Sequence, residues 1–391
     1  MAGDLLARAR EQAERSSPSV RAAALLRIAR VESATDRDQA RSTFNQGLGE
    51  IRRFTGLDRE FFLEQACLLA AAVAPDLLSE IPPSVHTARH FSSDRLCSIM
   101  LMHGHKDEAF EYVTRYDPPA TFPFGTVSPL MQRLGDEARR IAVLRAAIAA
   151  WRAAPEREFI QAFQVEWKAL PQDEALELAH EIVRVTLEQP DQPITASYGD
   201  ERGARITSHR EHNLFQILHV LRHLDEPLAE SLIAAHDQLA AAARRFPNGM
   251  ESLIEEAKTR ATAPGASAGG GYMIYGEPED IPYLKALMQA SRDGDFGSPI
   301  DYALDQYRED TGPDNPNEAP REFWPSTCNF RGIFYRAGER LGRDATLYLD
   351  RIPDADLRLF AQIELAAALA GLPEFQGTQR VHRRRADRSR A

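Results

Sequence analysis

Residues 17–31 read Ser17-Pro18-Ser19-Val20-Arg21-Ala22-Ala23-Ala24-Leu25-Leu26-Arg27-Ile28-Ala29-Arg30-Val31. Val20, Ala24, Leu25, Ile28 and Val31 recur at helical spacing, so one stripe of an α-helix is apolar. Ser17 suits the N-cap, where its hydroxyl accepts from an early backbone N–H. Pro18 suits the first helical position, where a missing N–H costs nothing. The same Ser-Pro start recurs at Ser128-Pro129 and Ser298-Pro299. Asp58, Asp225 and Asp354 stand ahead of further apolar periods. Helix follows helix from about residue 3 to 260 and again from about 280 to 372. Only Tyr272–Tyr275 reads as a strand, and four isolated residues cannot build a sheet. The expectation is an all-α chain of about fourteen helices.

The chain has 391 residues, 43% of them hydrophobic and 27% charged. A single core stops growing at about 250–300 residues, so either several domains or a stacked repeat array is expected. No window approaches the ~18 uninterrupted apolar residues of a bilayer span. Met1-Ala2-Gly3-Asp4-Leu5-Leu6 leads straight to Arg8 and Arg10, with no signal-peptide core. Cys67, Cys97 and Cys328 are too few and too dispersed for a disulfide framework or a zinc cluster. A reducing cytoplasm is the expected setting.

The net charge of −11 argues against nucleic-acid binding by the body of the protein. All but four of the 47 basic residues are arginine, a bias that reads either as a preference for forked carboxylate contacts or, more plainly, as the mark of a GC-rich coding genome. Arg380, Arg383, Arg384, Arg385, Arg388 and Arg390 make a basic C-terminal tail interrupted only by Asp387. Such a tail is solvated and disordered on its plain reading. On its functional reading it meets an acidic partner, anionic lipid or nucleic acid.

Three irregular stretches interrupt the helical pattern, at 190–205, 261–271 and 311–320. The second, Ala-Thr-Ala-Pro-Gly-Ala-Ser-Ala-Gly-Gly-Gly, has no large apolar side chain and reads as a linker. The expected organisation is a helical array over 1–260, a linker over 261–272, a smaller helical region over 273–376 and the tail over 377–391. The first and third stretches read as long loops between helices.

Two signatures recur. Gly104-His-Lys-Asp-Glu-Ala109, Gly135-Asp-Glu-Ala138 and Gly342-Arg-Asp-Ala345 each place a helix-ending glycine shortly before an acidic residue and alanine. Leu78-Ser-Glu-Ile81-Pro82 and Leu349-Asp-Arg-Ile352-Pro353 each precede a new helix. The stretch from Gly104 to Pro118 resembles the turn and second helix of a tetratricopeptide unit, with Ala109 in the small packing position. The segment 345–371 resembles a HEAT-like helix pair. The tetratricopeptide Trp and Tyr are absent at Gly104, and no fixed 34-residue period emerges. The resemblance implies an α-solenoid of stacked antiparallel helix pairs and a concave surface for a protein or peptide partner. It implies no cofactor.

Candidate chemistry is sparse. Gly269-Gly270-Gly271 lacks the lysine and flanking strand of a phosphate loop, and Asp293-Gly294-Asp295-Phe296-Gly297 lacks the sixth-position Gly and twelfth-position Glu of a calcium loop. His209, His212, His219 and His223 lie within one short segment. His212, His219 and His223 share a helix face opposite Leu214, Ile217, Leu218, Leu221 and Leu224, and His219 and His223 have the i, i+4 spacing of paired metal ligands. A solvent-facing polar stripe is the plain alternative. Aromatics gather at 322–335, where Trp324, Arg331 and Tyr335 are either core or the anchors of a partner-binding groove. A non-catalytic scaffold is therefore the first functional expectation. An enzyme or metal-binding protein with its site near 190–223 and 311–335 is the second.

Overall fold

A computed structural model describes residues 2–86, 91–115, 121–198, 203–261, 282–310 and 330–375. Among them are nineteen α-helices and one two-stranded antiparallel sheet. The chain opens with α1 (Ala2–Arg15), α2 (Pro18–Glu32), α3 (Arg37–Ile51), α4 (Gly56–Val73), α5 (Pro83–His86) and α6 (Ser93–Met102). It continues with α7 (Lys106–Thr114), α8 (Val127–Arg133), α9 (Glu137–Ala153), α10 (Arg157–Glu166) and α11 (Gln172–Glu188). A hairpin of β1 (Pro193–Tyr198) and β2 (Ala204–Ser208) leads into α12 (His209–Leu224), α13 (Glu226–Ala235), α14 (Asp237–Arg245) and α15 (Met250–Ala261). Last come α16 (Pro282–Asp293), α17 (Gly297–Asp310), α18 (Phe330–Leu341) and α19 (Ala355–Leu369). The helix count exceeds the expected one, and several of the helices, such as α5 and α8, are short.

Local chemistry sets the helix starts. Ser17 Oγ accepts from Val20 N at 3.5 Å, Asp225 Oδ1 from Leu228 N at 3.1 Å, and Asp354 Oδ1 from Leu357 N at 3.0 Å. Each satisfies a donor that the first helical turn leaves without a partner.

The chain packs as two compact units. The first draws on Met1–His105, Pro118–Thr121 and Glu277–Ala391, the second on Lys106–Asp117 and Phe122–Gly276. These units do not follow the sequence-order division into 1–260 and 273–376. Leu5, Ala9, Val20 and Ile28 share one core with Phe296, Phe334, Phe360 and Ile363. The linker expected at 261–272 lies, past Ala261, outside the described residues, as does the tail at 377–391.

In the first unit α2 and α19 are central. From Ala24 to Glu32 every residue of α2 is buried, and so is all of α19 from Leu359 to Ala367. A helix covered on all sides needs apolar residues around its whole circumference. The charged exceptions are Arg27, Arg30, Glu32 and Glu364. Helix α18 lies close against α19 at Gly338, where a Cβ would come within 2.8 Å of Ala368 Cβ and Leu365 Cδ1.

The hairpin of the second unit stands where the sequence reads as a loop. Ala196 pairs with Ile206, Ser197 with Arg205 and Tyr198 with Ala204, with an irregularity between Pro193 and Ala196. Ala196, Ile206 and Ser208 are buried while Thr195, Ser197, Arg205 and Thr207 are exposed. That alternation of small, β-branched and polar residues is a strand signal, obscured by Pro190, Pro193, Gly199 and Gly203 at its edges.

Candidate functional site

The most unusual chemistry of the first unit is an arginine cluster. Arg27 and Arg30 are three residues apart on α2 and therefore share a face. Arg27 Nη1 donates to Glu364 Oε1 at 3.1 Å, and Arg30 Nη1 donates to Glu364 Oε2 at 3.3 Å. One carboxylate on α19 thus serves two guanidiniums. Arg30 Nη2 donates to Pro373 O at 2.7 Å, and the guanidinium lies 5.0 Å from the Phe375 ring centroid. Arg27 lies 5.8 and 5.7 Å from the ring centroids of Phe360 and Phe375. These aromatic faces stabilise cations that are cut off from water.

Arg331, in the first turn of α18, adds a third charge. It repels Arg27 and Arg30, attracts Glu364, and is itself a like-charged neighbour of Arg95 on α6. Burial, then the neighbouring Arg331, push the Arg27 guanidinium down to about 9, still protonated at neutral pH. Burial also lowers Arg95 and Arg331. Burial opposes ionisation of Glu364, but Arg30, Arg27 and Arg331 outweigh it and hold the carboxyl below its ordinary range. Burial raises the other nearby acid, Glu374, against the opposing pull of Arg336 and Arg30.

Acids on α2 and α3 are engaged. Glu32 pairs with Arg10 and accepts from Thr43 Oγ1 at 2.7 Å, while Glu50 pairs with Arg53 at 3.2 Å. Two groups of the cluster keep donors without acceptors. Arg30 Nε is buried and has no hydrogen bond. The half-buried Arg331 side chain has no hydrogen bond and no ion pair within 4 Å among the described residues.

The partner anchors expected at 322–335 therefore occupy different ground. Trp324 lies outside the described residues. Arg331 belongs to the charged cluster, and Tyr335 is 7% exposed and donates its hydroxyl to Leu372 O at 2.6 Å. Burial, with Glu339 alongside, pushes the Tyr335 phenol up to about 12. Tyr335 is a core residue. Arg383, Arg384 and Arg385 lie outside the described residues.

In the second unit the histidine face does not look outward as a stripe. Helix α12 packs against α10, α11, α13, α14, α15 and the hairpin, so it is covered on nearly every side. His219 is half-buried, with Nε2 2.9 Å from Gln164 O. His212 is half-buried too: its Nδ1 meets the Tyr198 hydroxyl and its Nε2 lies 2.9 Å from Gln216 Nε2. Burial, followed by His209 and Arg157, pushes the His212 imidazole down to about 4. His223 is exposed, its ring tilted against Trp167 at 5.0 Å. The three histidines turn to three different partners. Among the described residues no three His, Cys, Asp or Glu side chains are grouped to hold an ion. Residues 190–223 belong to the second unit and residues 330–335 to the first.

Cys67 and Cys97 are buried, free thiols. Burial pushes Cys67 up to about 12 and Cys97 well above its ordinary value, so neither carries the thiolate a nucleophile needs. No helix among the described residues is long and apolar enough to cross a membrane.

Sequence reading passed over Arg27, Arg30 and Glu364. The available signal was charge inside an apolar period: two arginines within Ala24–Val31, and Glu364 within Leu359–Ala368. Together these features define a mostly helical protein with a buried arginine–glutamate cluster in its first unit. No known protein family, curated protein or solved structure matches the chain.

Proposed function

We propose that this chain is a non-catalytic binding protein, a scaffold of stacked antiparallel helix pairs of tetratricopeptide- or HEAT-like kind, whose partner is a protein or peptide presenting an acidic group. One observation carries the reading. Arg27, Arg30 and Arg331 gather around Glu364, and Arg331 has no hydrogen-bond or ion-pair partner among the described residues. Three guanidiniums that share one carboxylate leave positive charge in excess, and an incoming anion that offsets it gains affinity. Arginine suits the role because its planar fork meets oxyanions with paired hydrogen bonds. The enzyme reading near 190–223 draws less support, since His212 and His219 are engaged in hydrogen bonds within the fold.

The test is fluorescence anisotropy of the full chain against matched acidic and neutral peptides at low and high salt. Preferred binding of acidic peptides, weakened by salt and by Arg331→Gln, supports the proposal. Equal binding of neutral and acidic peptides, or indifference to Arg331→Gln, refutes it.

A further inference from the structure

We infer that the cleft between α1 and the first turn of α19 is a second binding site, which takes a hydrophilic carboxylate between Arg8 and Arg358. It uses none of the residues of the Arg27–Glu364 cluster and goes beyond the function proposed for that cluster. A cleft of about 570 Å³ opens beside Gln12, Ser16, Asp356 and the two arginines. Ligand sites commonly enclose about 300–1,000 Å³, so the space suits a metabolite-sized molecule or the acidic end of a peptide. Ala355 is the one lining residue without a polar side chain, so the ligand that fits is hydrophilic.

Helix register sets the two arginines level with each other. Gln12 Nε2 on α1 donates to Ala355 O, and Gln362 Nε2 on α19 donates to Leu5 O at 2.7 Å. The two contacts are seven residues apart on each helix and run in opposite order, so α1 and α19 are antiparallel here. Arg8 is four residues from Gln12 and Arg358 three from Ala355. At a rise of about 1.5 Å per residue these are about 6 and 4.5 Å along the paired helices. Both side chains line the same cleft from its two walls.

Neither guanidinium has a counter-ion. Arg8 is exposed and has no hydrogen bond or ion pair among the described residues. Arg358 donates from Nε to Ile352 O at 3.0 Å and from Nη2 to Pro353 O at 3.1 Å. These neutral carbonyls fix the guanidinium without cancelling its charge, and Nη1 keeps no acceptor among the described residues. The acids of the cleft are engaged. Glu11 accepts from Arg15 Nη2 at 2.5 Å, and Asp356 Oδ1 accepts from Ser16 Oγ at 2.8 Å. Arg8, Arg15 and Arg358 against Glu11 and Asp356 leave one positive charge, which a single carboxylate balances. Its two oxygens match the planar donors of a guanidinium.

The experiment is isothermal titration calorimetry of the full chain with gluconate, its neutral amide gluconamide, and the peptide acetyl-Ser-Asp-Ser amide. At least one of the two acids is expected to bind about tenfold or more tighter than gluconamide, and Arg8→Gln to weaken that binding by about tenfold. Gluconate alone would identify a free small acid as the ligand, and binding of the peptide an acidic peptide segment. Arg8 is exposed and unpartnered among the described residues, so Arg8→Gln should keep the wild-type melting temperature; if it melts early, Arg358→Lys, which keeps the charge and loses the fork, should weaken binding by about threefold or more. Arg331→Gln should leave the affinity unchanged, so this site and the Arg331 cluster succeed or fail separately. Failure of both acids to outbind gluconamide overturns the inference. So does unchanged affinity in a folded Arg8→Gln, or a loss confined to Arg331→Gln.

Discussion

Arg30 and Glu364 are 334 residues apart in the sequence and 3.3 Å apart in space. Both side chains are almost wholly removed from water, at 0% and 2% exposure. Two charges brought into a protein interior recover their lost hydration only where the geometry is good and the remaining donors are met. Arg30 meets that condition in part, through Pro373 O and the Phe375 ring. The pair ties α2 to α19 inside the first unit, joining the two ends of the described chain.

Glu364→Gln is expected to destabilise the first unit by about 3–5 kcal/mol, because it leaves two buried guanidiniums without their counter-ion. Urea denaturation followed by circular dichroism measures this. A loss below about 1 kcal/mol would mean that the pair contributes little.

Acid should act through the same carboxyl. The folded-state value of Glu364 is lowered, so its stabilising effect is complete above the unfolded carboxylate value of about 4.3 and is lost as pH falls below it. Glu364→Gln should flatten the acid limb of the stability curve below that point. Identical acid limbs in the two proteins would contradict the assignment.

His103 offers a separate pH signature. Burial, then Arg30 and His105, push its imidazole down to about 3, against about 6.5 in an unfolded chain. The folded state therefore binds fewer protons between these values, and His103 draws stability down as pH falls from about 6.5 toward 3. His103→Asn should reduce that slope in denaturant melts at stepped pH. An NMR titration showing His103 protonating near pH 6.5 would refute it.

Glycine substitutions should separate close packing from mere flexibility. Gly338→Ala forces a Cβ to within 2.8 Å of Leu365 and Ala368, and a loss of roughly 1–3 kcal/mol is expected. Gly49→Ala, in α3, meets nothing within 4 Å and should gain up to about 1 kcal/mol. Thermal melts of both variants check the contrast, and equal shifts would mean that α18 and α19 are not in intimate contact.

Cys67 and Cys97 should resist alkylation in the native protein and react once it is unfolded, since burial keeps both thiols protonated. Iodoacetamide labelling with peptide mapping decides this. Labelling of either residue under native conditions would contradict its burial.

What the sequence by itself determined was local. Ser17, Asp225 and Asp354 announced helix starts because a cap and its first-turn donors lie within three residues of one another. That no helix among the described residues is long and apolar enough to cross a membrane was equally legible. The tertiary structure decided which faces meet water. His212 and His219 shared a face on the helical wheel, yet covering helices and the hairpin turned them to Gln164, Tyr198 and Gln216. Tyr335 read as a possible surface anchor and is core. The arginine cluster was decided at the longest range. Arg27 and Arg30 look like ordinary charges until α19 places Glu364 between them and α18 adds Arg331 beside it. Helical period and capping act over one turn of chain, whereas a buried charge finds its counter-ion only when the two ends of the described chain close on one core.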